Sequence, residues 1–64
     1  MTYKGKKLTF KKTAENTYDA YHGNKFIGTI NETIETVKFY AINGRIYRGA
    51  TKTIAAGNYV INNE

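Results

Sequence analysis

The dipeptide Asn43-Gly44 restricts the fold of this chain more than any other feature, because a run that alternates between apolar and polar residues lies on each side of it. Asn-Gly between two such runs is typical of a β-hairpin with a two-residue type I′ turn, in which both central residues have a positive φ. We therefore predict that Val37 to Ile42 pairs with Arg45 to Gly49 in an antiparallel hairpin.

A two-residue turn sets the register of this hairpin and so assigns each side chain to a face of the sheet. The predicted pairs are Ile42 with Arg45, Ala41 with Ile46, Tyr40 with Tyr47, and Phe39 with Arg48. The face that we expect in the core carries Val37, Phe39, Ala41, Ile46 and Ala50. The face that we expect to be an exposed aromatic and basic surface carries Lys38, Tyr40, Ile42, Arg45 and Tyr47.

The first half of the chain predicts a three-stranded meander from about Lys6 to Ile30. Leu8 and Phe10 alternate with polar residues, as in a half-buried strand. His22-Gly23-Asn24 then interrupts two further strand-like runs, either as a tight hairpin turn or as a longer loop, so the register of this pair stays open.

The last segment, Ala50 to Asn62, predicts a helix. Its apolar stripe consists of Ala50, Ile54, Gly57 and Ile61, with Val60 beside it. Thr51 is suited to cap the helix, and Gly57 permits a close approach to a sheet. The alternative is a last strand at Tyr59-Val60-Ile61, because Gly57 costs helix stability. The segment Asn31 to Thr36 is compatible with a loop or with a helical turn.

Together these elements predict an α+β fold for a single small globular domain, residues 1–64. The sheet is mostly antiparallel, with about five strands and two hairpins, and a C-terminal helix follows it; a small all-β barrel is the alternative. The chain has no Cys, so its stability must come from a minimal core or from association. Six Tyr and three Phe supply that core with large side chains that also favour strands.

The formal net charge of +5 is unevenly distributed. Residues 1–12 and 38–63 carry Lys and Arg but no acid, and the acids of 13–37 separate these two basic blocks. This pattern attracts polyanions and also promotes solubility. No apolar run is long enough for a transmembrane span or a signal peptide, so we expect a cytoplasmic protein with no membrane partner.

The residue types argue against catalysis. Ser and Cys are absent, so the usual hydroxyl and thiol triads cannot be built, and His22 is the one histidine. The glycines match no phosphate-binding spacing; Gly28 and Gly49 instead lie near strand positions, where they indicate bulges or close packing. We therefore expect no enzyme, no cofactor and no metal site.

The predicted exposed face of the hairpin is the candidate binding site. Proteins that bind single-stranded nucleic acid combine cations for the phosphates with exposed aromatic rings on which bases stack. The residues that fit this description are Lys38, Tyr40, Arg45, Tyr47 and Arg48. They predict binding of DNA or RNA, and a two-stranded ribbon can alternatively enter a major groove.

The alternative function is a protein-interaction module, such as a phage-type inhibitor of a host protein. Tyr and Arg are enriched at protein interfaces, so the same face also fits a protein partner. A free sheet edge would likewise permit self-association.

Two resemblances agree with these hypotheses. The chain lacks Pro, Ser and Gln and is rich in Lys, Asn, Ile, Tyr and Phe. This usage resembles that of small proteins of low-GC Gram-positive bacteria and their phages. A small sheet followed by a C-terminal helix is similar to the arm-type N-terminal DNA-binding domains of phage and transposon integrases. That resemblance implies a sheet placed on DNA.

Overall fold

The computed structural model describes residues 2–64, and these form one antiparallel sheet with a helix packed on one of its faces. The elements in chain order are β1 (Thr2–Tyr3), β2 (Lys6–Ala14), β3 (Thr17–His22), β4 (Lys25–Glu32), β5 (Val37–Ala41), β6 (Ile46–Gly49) and α1 (Lys52–Asn63). Each strand pairs with the next along the chain. The predicted α+β class is confirmed, and the sheet is open rather than closed into a barrel.

Tight turns connect the first four strands. Lys4 and Gly5, both at positive φ, join the short β1 to β2, a pairing that the sequence analysis did not anticipate. Gly23 and Asn24 form a two-residue loop, because His22 lies opposite Lys25. Gly23 has a φ of 61°, as the first position of a type II′ turn requires. Residues 33–36 form the loop between β4 and β5, which the Thr33 amide closes with a hydrogen bond to the Thr36 carbonyl.

The β5–β6 hairpin is present, but its predicted register is wrong by one residue. Phe39 lies opposite Tyr47, and Tyr40 lies opposite Ile46. The loop has three residues, 42–44, since the Gly44 amide donates to the Ala41 carbonyl and the Ala41 amide donates to the Arg45 carbonyl. Of the three loop residues, only Gly44 has a positive φ, of 88°, as in a type I turn that ends in a bulge.

This one-residue shift moves side chains between the faces of the sheet. Tyr47 turns towards the helix, where its ring lies 6.4 Å from that of Phe39 and 5.7 Å from that of Tyr59. Ile46, predicted in the core, is 52% exposed on the opposite face. The predicted cross-strand pair of Tyr40 and Tyr47 is therefore absent.

A bulge in β4 explains Gly28. The register between β3 and β4 shifts after Ala20, and Gly28 takes a φ of 153°. A Cβ at this position would overlap the Tyr40 carbonyl oxygen and would lie 2.7 Å from the Phe39 ring. The expected role of this glycine in close packing is confirmed.

The predicted C-terminal helix and its cap are confirmed. The Thr51 hydroxyl accepts a hydrogen bond from the Ile54 amide at 3.2 Å. The buried stripe differs from the predicted one: it consists of Ala55, Ala56, Gly57, Tyr59 and Val60. Ile61 is 43% exposed. Gly57 does permit close approach, because a Cβ there would overlap the Tyr3 ring.

A cluster of charged side chains joins the end of α1 to the β3–β4 turn. The Glu64 carboxylate accepts hydrogen bonds from Lys25 Nζ at 2.7 Å and binds His22 Nδ1 at 3.0 Å. These contacts with Lys25 and then His22 hold the pKa of Glu64 below its ordinary value of 4.5. His22, the one histidine of the chain, thus has a structural partner in Glu64.

Glu64 should make stability fall in acid. Because folding lowers its pKa, its contribution is fully present above pH 4.5 and is lost as the pH falls through the lowered value. Glu64→Gln should reduce the free energy of unfolding at neutral pH. It should also make that free energy decline less steeply below pH 4.5. Urea unfolding of both chains across this range measures the effect. An acid limb of equal steepness in the two chains would contradict this role.

Candidate nucleic-acid interface

The sheet has one face covered by α1 and one that no described element covers, which we call the open face. Its members follow from strand alternation and from the observed register. They are Lys7, Thr9, Lys11, Thr17, Asp19, Tyr21, Phe26, Thr29, Asn31, Lys38, Tyr40, Ile46 and Arg48, with Ile42 in the adjoining loop.

Cross-strand register arranges these side chains in three rows that run across the strands. The central row consists of Lys11, Asp19, Thr29, Tyr40 and Ile46, each opposite the next. On one side lies a row of Thr9, Tyr21 and Phe26. On the other side lies a row of Thr17, Asn31, Lys38 and Arg48. Neighbouring rows are about 7 Å apart, and β2 to β6 span about 19 Å.

Three aromatic rings lie on the open face. Phe26 and Tyr40 are each 44% exposed, and Tyr21 is half-buried. The Tyr21 ring meets that of Phe26 edge-on, with centroids 5.7 Å apart, so each ring restricts the other. Ile42 and Ile46 extend this apolar area towards β6 at 51% and 52% exposure. The result is an area of aromatic and aliphatic side chains in contact with solvent.

Cations flank this apolar area on two sides. Lys7 and Lys11 project from β2, whereas Lys38 and Arg48 lie opposite each other on β5 and β6. Among the described residues, Asp19 is the one acid on the open face. The potential over this face is therefore positive.

The remaining acids lie away from the open face. Glu15 and Glu35 lie in the β2–β3 turn and the β4–β5 loop, at one end of the sheet. Glu32 forms an ion pair with Lys52 of α1 at 3.6 Å, and Glu64 is held by the cluster described above.

The structure places three of the five binding residues predicted from the sequence on one face of the sheet. Lys38, Tyr40 and Arg48 lie on the open face. Arg45 lies exposed between the loop and β6, where its amide donates to Asn43 Oδ1 at 2.9 Å. Tyr47 lies on the helix side, so the face predicted for it is wrong and it is not part of the open face.

Interactions of the Tyr47 hydroxyl hold it on the helix side. Asn63 Nδ2 of α1 donates to this oxygen at 3.0 Å. Hydrogen bonds from Asn43 and then Asn63 lower the pKa of Tyr47. The Tyr47 hydroxyl thus connects β6 to the end of α1.

Lys11, Tyr21 and Phe26 also lie on the open face, although the sequence pattern did not predict them as site residues. Their signal was the Gly23-Asn24 turn: a two-residue loop there places Tyr21 opposite Phe26. Because that register stayed open, the aromatic pair next to the turn was not assigned to a face.

Across the described residues 2–64, no three His, Asp or Glu side chains converge as a set of metal ligands. Within the same residues, no helix is long and apolar enough to cross a membrane. Comparison of the chain with protein-family models, with curated proteins and with solved structures gave no match.

Proposed function

We propose that the protein is a non-enzymatic binding module whose open face binds single-stranded DNA or RNA. One observation carries the proposal: solvent-exposed aromatic rings lie on an uncovered sheet with cations on both sides of them. Rings of this kind stack on bases irrespective of sequence, and the cations neutralise phosphates. A cytoplasmic location, inferred from composition, belongs to the same proposal.

The arrangement of the rows favours a single strand over a duplex. Phe26 and Tyr40 offer flat rings, and stacking on a ring requires a base that is not already stacked in a helix. Lys38 and Arg48 lie in a row beside the aromatic area, where they can contact the backbone of a strand whose bases lie on the rings. A sheet about 19 Å wide has room for two or three bases, as in other sheet platforms for RNA.

Lys11 and Lys12 provide a matched test of the face. They are adjacent in β2 and both exposed, but Lys11 lies on the open face and Lys12 points to the helix side. The affinity for a short oligonucleotide should fall as the salt concentration rises. A plot of log K against log salt concentration should have a slope of about −0.7 for each phosphate that the protein neutralises. Lys11→Gln should weaken binding and reduce this slope, whereas Lys12→Gln should change neither.

Fluorescence anisotropy over a series of salt concentrations measures both quantities. Equal effects of the two substitutions would show that only net charge matters and would contradict the proposed face.

A rival protein-interaction role rests on the exposed Ile42 and Ile46. Failure to bind oligonucleotides, combined with a mass in light scattering that rises with protein concentration, would favour that role, because apolar association persists in salt.

A further inference from the structure

The one acid on the described open face is unexpected in a surface that attracts phosphates. Asp19 lies in the central row, with Lys11 opposite it on β2 and Thr29 opposite it on β4. Its side chain is half-buried. A carboxylate here repels phosphate, and Lys11 offsets only part of that repulsion. A surface that binds only the phosphate backbone of a nucleic acid would gain no affinity from this residue.

Asp19 is well placed to contact the edge of a stacked base. Tyr21 lies two residues along the same strand and on the same face, so the two side chains are about 7 Å apart. The Phe26 ring braces the Tyr21 ring. A base that stacks on Tyr21 therefore extends an edge towards the Asp19 carboxylate.

An ionised carboxylate accepts hydrogen bonds and donates none. Cytosine offers its N4 amino group to such an acceptor, and adenine offers its N6 amino group. Thymine and uracil present the O4 carbonyl at the corresponding position, which a carboxylate repels, so the imide N3–H is the one donor of their Watson–Crick edge. The chemistry of Asp19 thus distinguishes amino bases from keto pyrimidines.

We propose that Asp19 sets a base preference of the open face, selecting cytosine and adenine over thymine and uracil. The inference rests on the proposed function, since it assigns specificity within the same site. Phosphate contacts from Lys38 and Arg48 supply affinity that does not depend on sequence, and Asp19 adds the discrimination.

The test compares oligodeoxycytidine and oligodeoxythymidine of equal length by fluorescence anisotropy at neutral pH and low salt. The wild-type chain should bind the cytidine oligomer about tenfold more tightly, as for one good contact to a base edge. Asp19→Asn should remove the preference chiefly by improving thymidine binding. The Asn amide can donate a hydrogen bond to the O4 carbonyl of thymine and can also accept one from an amino group. Asp19→Thr, which favours strand structure, serves as a second variant in case the amide disturbs folding.

Glu15→Gln is the matched control, because it removes the same charge at the exposed β2–β3 turn. It should leave the ratio of the two affinities unchanged. Equal affinity of the wild-type chain for both oligomers, or a preference that survives in both Asp19 variants, would overturn this inference and leave the proposed function standing. Binding of neither oligomer would overturn the proposed function and the inference with it.

Discussion

Replacing both Phe26 and Tyr40 by alanine is expected to abolish binding of short single-stranded oligonucleotides while the fold is retained. Each ring is 44% exposed on the open face, so its loss removes a stacking surface rather than core packing. Stacking contributes about 1–3 kcal/mol per base, and the double variant should therefore lose roughly a hundredfold or more in affinity. Anisotropy titrations at low salt measure this loss.

Two controls isolate the rings. Tyr40→Phe keeps an aromatic surface and should bind much like the wild-type chain. Ile34→Ala removes a fully exposed apolar side chain from the β4–β5 loop, away from the open face, and should leave binding unchanged. Wild-type affinity in a folded Phe26→Ala, Tyr40→Ala chain would rule out stacking on this face.

Replacing Phe39 by alanine is expected to unfold the domain. Phe39 is fully buried, and its ring packs against those of Tyr47 and Tyr59 between the sheet and α1. Removing a buried phenylalanine costs about 3–5 kcal/mol. The hydrophobic core of a domain this small contributes about the same amount, 3–5 kcal/mol, to the whole free energy of unfolding. The variant should therefore show no cooperative thermal transition at room temperature and above.

Tyr40→Ala is the natural control for this experiment, because Tyr40 is the next residue of β5 and points to the opposite face. Its unfolding midpoint should stay close to that of the wild-type chain. Circular dichroism during heating distinguishes the two variants. A cooperative transition of Phe39→Ala near the wild-type midpoint would contradict the observed faces of β5.

The position of the hairpin was predictable from Asn43-Gly44, but its register was not, because this dipeptide is also compatible with a three-residue loop. A second signal was present in Arg48. The two-residue register places Arg48 opposite Phe39, hence on the buried face, where an unpaired guanidinium is costly. The observed register exchanges it for Tyr47, whose hydroxyl finds a hydrogen-bond partner in Asn63.

The helix illustrates a similar limit. Thr51 as its cap and Gly57 as its point of close approach were predictable from residue type. The buried stripe was not, because alanines fit either a core or a surface. Ala55 and Ala56 are buried because α1 lies close to the sheet, and that closeness depends on tertiary packing rather than on local pattern.

The open face followed from the sequence only in part. Lys38 and Tyr40 were correctly assigned to an exposed surface, since β5 carries a clear alternation. Arg48 was named as a binding residue, but the predicted register placed it on the opposite face. Tyr21 and Phe26 joined them only once the β3–β4 register was known. The site therefore depends on the register of two hairpins, which short-range sequence patterns specify only incompletely.

The central claim is that the open face binds single-stranded nucleic acid, and an NMR titration tests it most directly. Amide shifts of the ¹⁵N-labelled chain are followed as a short oligonucleotide of mixed sequence is added at low ionic strength. We predict shifts concentrated on β3 to β6 around Tyr21, Phe26, Tyr40 and Arg48, with little change in the solvent-facing residues of α1. Absence of any shift, or shifts confined to α1 and the β4–β5 loop, would contradict the claim.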